Sequence, residues 1–275
     1  MSANSILEVT GLVAGYGSTP AVHNATFSVS EGECAVLIGP NGHGKTTILR
    51  AISGLVRPTG GEIRFDGQVS THEKVEKLVD RGLIHIPQGD LVFPDMTVAE
   101  NLTLGAFSRS AHKQAKEKLE RVFEQFPKLA ERSGQRARTL SGGERRMLAL
   151  GRGMMGEARL MMIDEPSLGL APVIVDEVYE LIRGIADSGL TVLLVEENVS
   201  RAATLADRVH LVENGDILRS GTADAVLNDA AAAATAMRTF GLRGMSVTMP
   251  HKADIAGGLD RLSPVAAALG SVNCV

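Results

Sequence analysis

The chain has 275 residues, 44% of them hydrophobic, with a formal net charge of −4 and a pI near 6.0. That length can bury a sizeable core and suits one large domain with a short appendage better than two equal ones. The acidic balance excludes the broad basic surface of nonspecific nucleic-acid binding, and no apolar run approaches the roughly 20 residues of a membrane-spanning helix, so a cytoplasmic protein is expected.

The start of the chain has no basic segment followed by a long apolar stretch, so no leader is expected. Residues 33–38, ECAVLI, form a short apolar run that ends in a glycine-rich turn, and KTTILRAISGL after it carries apolar residues at helical spacing. Further runs of buried-strand character are LIHI (83–86), LMMID (160–164) and TVLLV (191–195). Between them, Leu119, Val122, Phe123 and Phe126 make one helical stripe, and residues 172–188 open at Pro172 and stop before Gly189. Strands alternating with helices predict an α/β fold with a mostly parallel sheet covered on both faces. HLVENGDILRSG reads as a hairpin turning at Asn214-Gly215, and the alanine-rich stretch 230–237 as a terminal helix. Cys34 and Cys274 are too few and too far apart for a disulfide framework or a zinc site, and both read as free thiols.

The strongest motif lies between the first strand and its helix. Gly39, Pro40, Asn41, Gly42, His43, Gly44, Lys45, Thr46 and Thr47 form a glycine, four residues, then Gly-Lys-Thr, the P-loop pattern. Glycines there let backbone N–H groups close around phosphates, and the positive end of the following helix favours that charge. Lys45 is expected to reach the β- and γ-phosphates, Thr46 to ligate Mg²⁺ and Thr47 to bond a neighbouring phosphate oxygen. About a hundred residues later comes LSGGE (140–144), where Ser141, Gly142 and Gly143 should open a helix with free N–H donors. LMMIDEP then ends a strand in Asp164, placed to hold Mg²⁺ through water, and Glu165, placed to orient and deprotonate an attacking water.

Together these motifs resemble the ATP-binding cassette (ABC) family of P-loop NTPases over about residues 5–241. The resemblance implies an ATPase that uses ATP and Mg²⁺, with an antiparallel β subdomain and a helical signature subdomain beside the core sheet. It also implies a dimer in which the LSGGE-like signature of one subunit meets the ATP of the other. Carried across residue by residue, Tyr16 in VAGYG stands where an aromatic stacks on adenine, and Gln88 in IPQG where a glutamine contacts Mg²⁺ and water. SLGLAP (167–172) matches the loop that touches the opposite subunit. The family usually carries a histidine where this chain has Glu197; a carboxylate there repels phosphate unless protonated or bridged by a cation, and a solvent-facing Glu197 is the alternative.

LVEEN, SGGERRMLALGRGMM and DEPSLGLAP are similar to the branched-chain amino-acid importer ATPases. That likeness implies a motor at the inner face of the cell membrane, working with transmembrane permease subunits, a second ABC ATPase as homo- or heterodimer, and indirectly an extracytoplasmic binding protein. FPDMTVAENLTLG (93–105) is expected to form the groove for a permease. A soluble cassette ATPase of translation or repair is the rival; such proteins usually carry a second cassette or a long coiled coil, and this chain has neither. Residues 242–275 form an odd tail: VTMPHK and GSVN resemble the substrate-binding segment of shikimate dehydrogenase, which would give Thr248 and Asn273 contacts to a hydroxy acid and make Lys252 an acid/base lysine. Some thirty residues cannot build an independent core, so this tail is expected to add no dehydrogenase activity.

Overall fold

A computed structural model describes residues 5–89 and 91–227. Its central element is a six-stranded sheet in the order β10-β9-β3-β8-β7-β6, made of β3 (Cys34–Ile38), β6 (Leu83–Ile86), β7 (Leu160–Asp164), β8 (Thr191–Glu196), β9 (Arg208–Glu213) and β10 (Asp216–Gly221). Strands β9, β3, β8, β7 and β6 run parallel, and β10 returns antiparallel at the edge. Each of β3, β7 and β8 is buried at every position, which explains why they read as unbroken apolar runs. Because successive side chains point to opposite faces, each run feeds two cores. Cys34, Val36 and Ile38, with Met161, Ile163, Val192 and Leu194, face one of them. Ala35 and Leu37, with Leu160, Met162, Leu193 and Val195, face the other.

The second core is closed by a four-stranded antiparallel sheet in the order β2-β1-β4-β5, comprising β1 (Ser5–Tyr16), β2 (Thr19–Ser30), β4 (Gly60–Phe65) and β5 (Gln68–Val69). Between the two sheets lies α1 (Lys45–Ile52), whose Ile48, Leu49, Ala51 and Ile52 belong to this core. Helix α2 (Val75–Asp80) precedes β6 and gives Leu78 to the same side.

The first core is closed by helices. These are α3 (Val98–Leu104), α4 (Arg109–Lys113), α5 (Ala115–Gln125), α6 (Pro127–Glu131), α7 (Gly142–Met154), α8 (Pro172–Asp187) and α9 (Val199–Leu205), with a short α10 (Ala223–Leu227) after β10. The expected stripe of α5 is present: Val122 and Phe126 are buried, while Leu119 and Phe123 pack against the cluster. Two helix starts carry reciprocal capping boxes, Thr97 with Glu100 on α3 and Ser141 with Glu144 on α7. The hairpin between β9 and β10 turns at Asn214 (φ 48°) and Gly215 (φ 81°), the two positive angles that a two-residue turn requires. The alanine-rich stretch 230–237, Cys274 and the tail residues Thr248, Lys252 and Asn273 lie outside the described residues. No described helix is long and apolar enough to cross a membrane.

Candidate functional site

In an open parallel sheet, ligands bind beyond the carboxyl ends of the strands, and the motif residues of this chain converge there. Cross-strand register sets the convergence: Ile38 lies beside Glu196, Asp164 beside Val195, and Ile86 beside Ile163. The loop after β3, the carboxylates after β7 and β8, and Gln88 after β6 therefore share one edge.

The loop from Gly39 to Gly44 is shaped by close approach. A Cβ on Gly39 would sit 2.3 Å from the carbonyl oxygen of Val212, and one on Gly44 2.5 Å from that of Ala21, while Gly44 also holds φ at 95°. Only glycine meets both demands. Gly44 caps α1 with no side-chain hydrogen bond, so the first N–H groups of the helix stay available to an anion. The loop is braced from outside: the backbone N–H of Asn214 donates to His43 Nδ1 (3.1 Å) and that of Gly215 to the His43 carbonyl (3.1 Å).

Lys45 is 3% exposed. Its ammonium donates to the carbonyls of Gly39 (2.7 Å) and Pro40 (2.9 Å) and lies 3.8 Å from both Glu165 Oε1 and Glu197 Oε1. Burial draws its pKa below the usual lysine value, against the opposing pull of Glu165 and Glu197. Thr46 Oγ1 donates to Asp164 Oδ1 at 3.1 Å. Gln88 Nε2 donates to Glu165 Oε2 at 3.0 Å, so the glutamine orients the carboxylate. Glu165 itself holds φ at 43°, an uncommon angle for a side chain of its kind, and its N–H donates to the Val195 carbonyl. Burial raises the pKa of Asp164 and of Glu165; Thr46 opposes it at Asp164, and Lys45 opposes it at Glu165. A buried carboxyl with its proton affinity raised suits a general base.

A family model described as "ABC transporter" matches residues 22–168. The high-affinity branched-chain amino acid transport ATP-binding protein BraG of Pseudomonas aeruginosa is 40% identical over 214 residues, which is 78% of this chain and 91% of that protein. The chain belongs to the ABC transporter ATP-binding family.

A probable LivF counterpart from Archaeoglobus fulgidus is 32% identical, covering 81% of this chain and 94% of its own length. Among solved structures, the ADP conformation of an ATP-binding cassette of an ABC transporter superposes with a TM-score of 0.71 at 26% identity, covering 82% of this chain and 95% of that one. As a member of this family, the cassette is a nucleotide-binding ATPase of the transport class. A second family model, the shikimate dehydrogenase substrate binding domain, matches residues 220–275, nearly all of them outside the described residues.

The cassette's own groups fit a hard divalent cation. Asp164 is 1% exposed and its Oδ2 is buried with no hydrogen-bond partner among the described residues, beside the Thr46 hydroxyl. No cluster of three or more His, Cys, Asp or Glu able to hold a metal occurs among the described residues. Mg²⁺ is commonly held by one or two protein groups together with substrate phosphates, and the Asp164 carboxylate with the Thr46 hydroxyl fits such a donor set.

Two expected contributors stand apart from this group. Tyr16 ends β1 with its ring 52% exposed, and its hydroxyl accepts from Arg50 Nη1 of α1 (3.0 Å). Ser141, Gly142 and Gly143 do open α7, but Ser141 is engaged with Glu144 and Arg145 of its own helix. Gly143 packs so closely on α8 that a Cβ would lie 2.2 Å from Ile174 Cγ2.

Two further residues escaped sequence reasoning. Arg146 of α7 is 1% exposed and donates to the carbonyls of Gly89 (2.9 Å) and Pro87 (3.4 Å), clasping the Gln88 loop from the signature helix. Glu196 is buried, and its Oε1 accepts the N–H groups of Glu197 and Asn198 (2.9 Å each). The acidic pair in LVEEN was visible, but nothing local distinguishes the buried member from the exposed one.

Proposed function

We propose that this chain is the ATP-hydrolysing motor subunit of an importer for branched-chain or chemically related amino acids. The observation that carries the reading is its 40% identity to the Pseudomonas protein over 91% of that protein's length, supported by the convergence of Lys45, Thr46, Gln88, Asp164 and Glu165 at one sheet edge. The phosphates occupy the loop Gly39–Thr47, with Lys45 against the β- and γ-phosphates and Tyr16 under the adenine ring. Glu165 takes a proton from the attacking water, and the hydrogen bond from Gln88 keeps the carboxylate aimed. Thr46, Asp164 and Gln88 would hold Mg²⁺, which when bound neutralises charge developing on the phosphates. Ser141, Gly142 and Gly143, which share no hydrogen bond with the phosphate loop among the described residues, serve the nucleotide of a second cassette.

Transport requires transmembrane permeases and, outside the cell, a binding protein, so the cassette works at the inner face of the membrane. A cleft of about 650 Å³ beside Gln88, lined by Leu91, Phe93, Leu104 and Phe107, supports docking of a permease. Those four side chains are 62, 50, 45 and 67% exposed, more apolar surface than a lone cassette needs. The reading treats residues 1–241 as the cassette and 242–275 as an appendage.

Two variants test the chemistry. Lys45→Ala removes the cation at the phosphates and should abolish MgATP binding in calorimetry. Glu165→Gln preserves shape but cannot accept a proton, so it should keep ATP bound, cut phosphate release by about 100-fold or more, and trap a dimer in gel filtration. Wild-type turnover in either variant defeats the assignment. Co-expression with two permeases from the same operon, followed by leucine uptake in proteoliposomes, tests the substrate class.

A further inference from the structure

We infer that Glu197 is a positioning residue that competes with the terminal phosphate for Lys45, holding the ammonium in the nucleotide-free cassette and weakening ATP binding more than ADP binding. The inference rests on the reading of Gly39–Thr47 as the phosphate loop.

The placement of Glu197 is determined on both sides. On its N-terminal side Glu196, buried at the end of β8, accepts the N–H of Glu197 and that of Asn198 through one carboxylate oxygen. On its C-terminal side the Asn198 side chain caps α9 by accepting the N–H of Arg201 at 3.1 Å. The peptide carrying Glu197 is thereby fixed, and its side chain, 37% exposed, reaches over the sheet edge to within 3.8 Å of Lys45 Nζ.

Lys45 at the same time donates to the carbonyls of Gly39 and Pro40, which take two of its three N–H groups, and is flanked by Glu165, also at 3.8 Å. Asp164 and Glu196 add two more carboxylates that act on this ammonium. One buried cation thus faces four acids, and Glu165 already serves the water side of the reaction. A γ-phosphate approaching Lys45 meets the charge of Glu197 and must take the ammonium from it. The β-phosphate, held by the loop N–H groups and the start of α1, meets that charge at longer range, where solvent screening is stronger. The discrimination therefore falls between triphosphate and diphosphate.

The test is a calorimetric titration of the full chain with Mg²⁺ and either the non-hydrolysable analogue adenylyl imidodiphosphate or ADP. In Glu197→Gln and Glu197→Ala the analogue should bind about fivefold tighter, the size expected when a partly exposed charge pair is removed together with a repulsion. ADP affinity should change by less than about twofold, and the gap should narrow as salt is raised. A merely structural role would move both nucleotides together. Unchanged or weaker binding of the analogue, or equal shifts for the two nucleotides, overturns the inference. Lys45→Ala in parallel separates the two levels: loss of both nucleotides there with unchanged binding in the Glu197 variants defeats only the role of Glu197, whereas normal binding in Lys45→Ala defeats the phosphate-loop reading itself.

Discussion

His210 illustrates how a single side chain can carry pH dependence without taking part in the chemistry. It is 1% exposed on β9, its Nδ1 lies 2.7 Å from Ser220 Oγ, and its ring centroid is 5.0 Å from that of Phe27. Burial pushes its pKa down to about 4, with Glu33 pulling upward and Arg208 downward. The unfolded chain holds this proton up to about pH 6.5, so between about pH 4 and 6.5 it binds more protons than the folded one, and stability falls as pH drops through that window. Buried carboxyls such as Glu165 and Asp164, whose pKa is raised, give the opposite slope, so the comparison of variants is the informative measurement. His210→Gln should flatten the loss of stability between pH 6.5 and 4.5 by about 2 kcal/mol in urea titrations. An unchanged slope would mean that the imidazole stays accessible to protons.

At the scale of elements, α7 connects two parts of the motor. Its N-terminus presents Ser141, Gly142 and Gly143, and one turn later Arg146 donates into the loop that carries Gln88. The loop is thus tied to the signature helix through a buried charged group rather than through solvent. Removing the guanidinium leaves two part-buried carbonyls without their donor, so Arg146→Met should cost about 1 kcal/mol of stability. It should also lower ATP turnover several-fold while leaving nucleotide affinity within about twofold. Stability comes from denaturant titration, and the split from steady-state kinetics beside calorimetry. A variant with wild-type turnover would show the clasp to be packing alone.

At the scale of the whole molecule, the two hydrophobic cores of the described residues lie on the two faces of one sheet. Residues 220–275 match the shikimate dehydrogenase substrate binding domain, yet hydride transfer needs a dinucleotide-binding unit, and residues 242–275 contain no Gly-x-Gly-x-x-Gly pattern. Truncation after residue 241 should therefore leave ATPase activity within about twofold of the full chain, and the full chain should show no shikimate-dependent reduction of NADP⁺. A truncated protein that cannot fold would make the tail part of the cassette. Shikimate oxidation that vanishes in Lys252→Ala would give the tail an activity of its own.

Local chemistry was legible in the linear chain. The loop Gly39–Thr47, the strand ending in Asp164 and Glu165, the Asn214-Gly215 hairpin and the helix opened by Ser141 all depend on neighbours a few residues away, and such patterns are written consecutively. The antiparallel sheet followed from family likeness and not from periodicity, because Gly11 at φ 59° and the register shifts between Val9 and Ala14 interrupt the alternation of β1. Only the tertiary structure decided which distant groups meet. Gln88 and Glu165 are 77 positions apart and Thr46 and Asp164 are 118 apart, and strand order rather than spacing puts each pair within hydrogen-bond distance. It also decided between two neighbouring glutamates: Glu196, at the buried end of β8, accepts the N–H groups of Glu197 and Asn198 and holds the bend, and Glu197, in that bend beyond the strand, comes within 3.8 Å of Lys45.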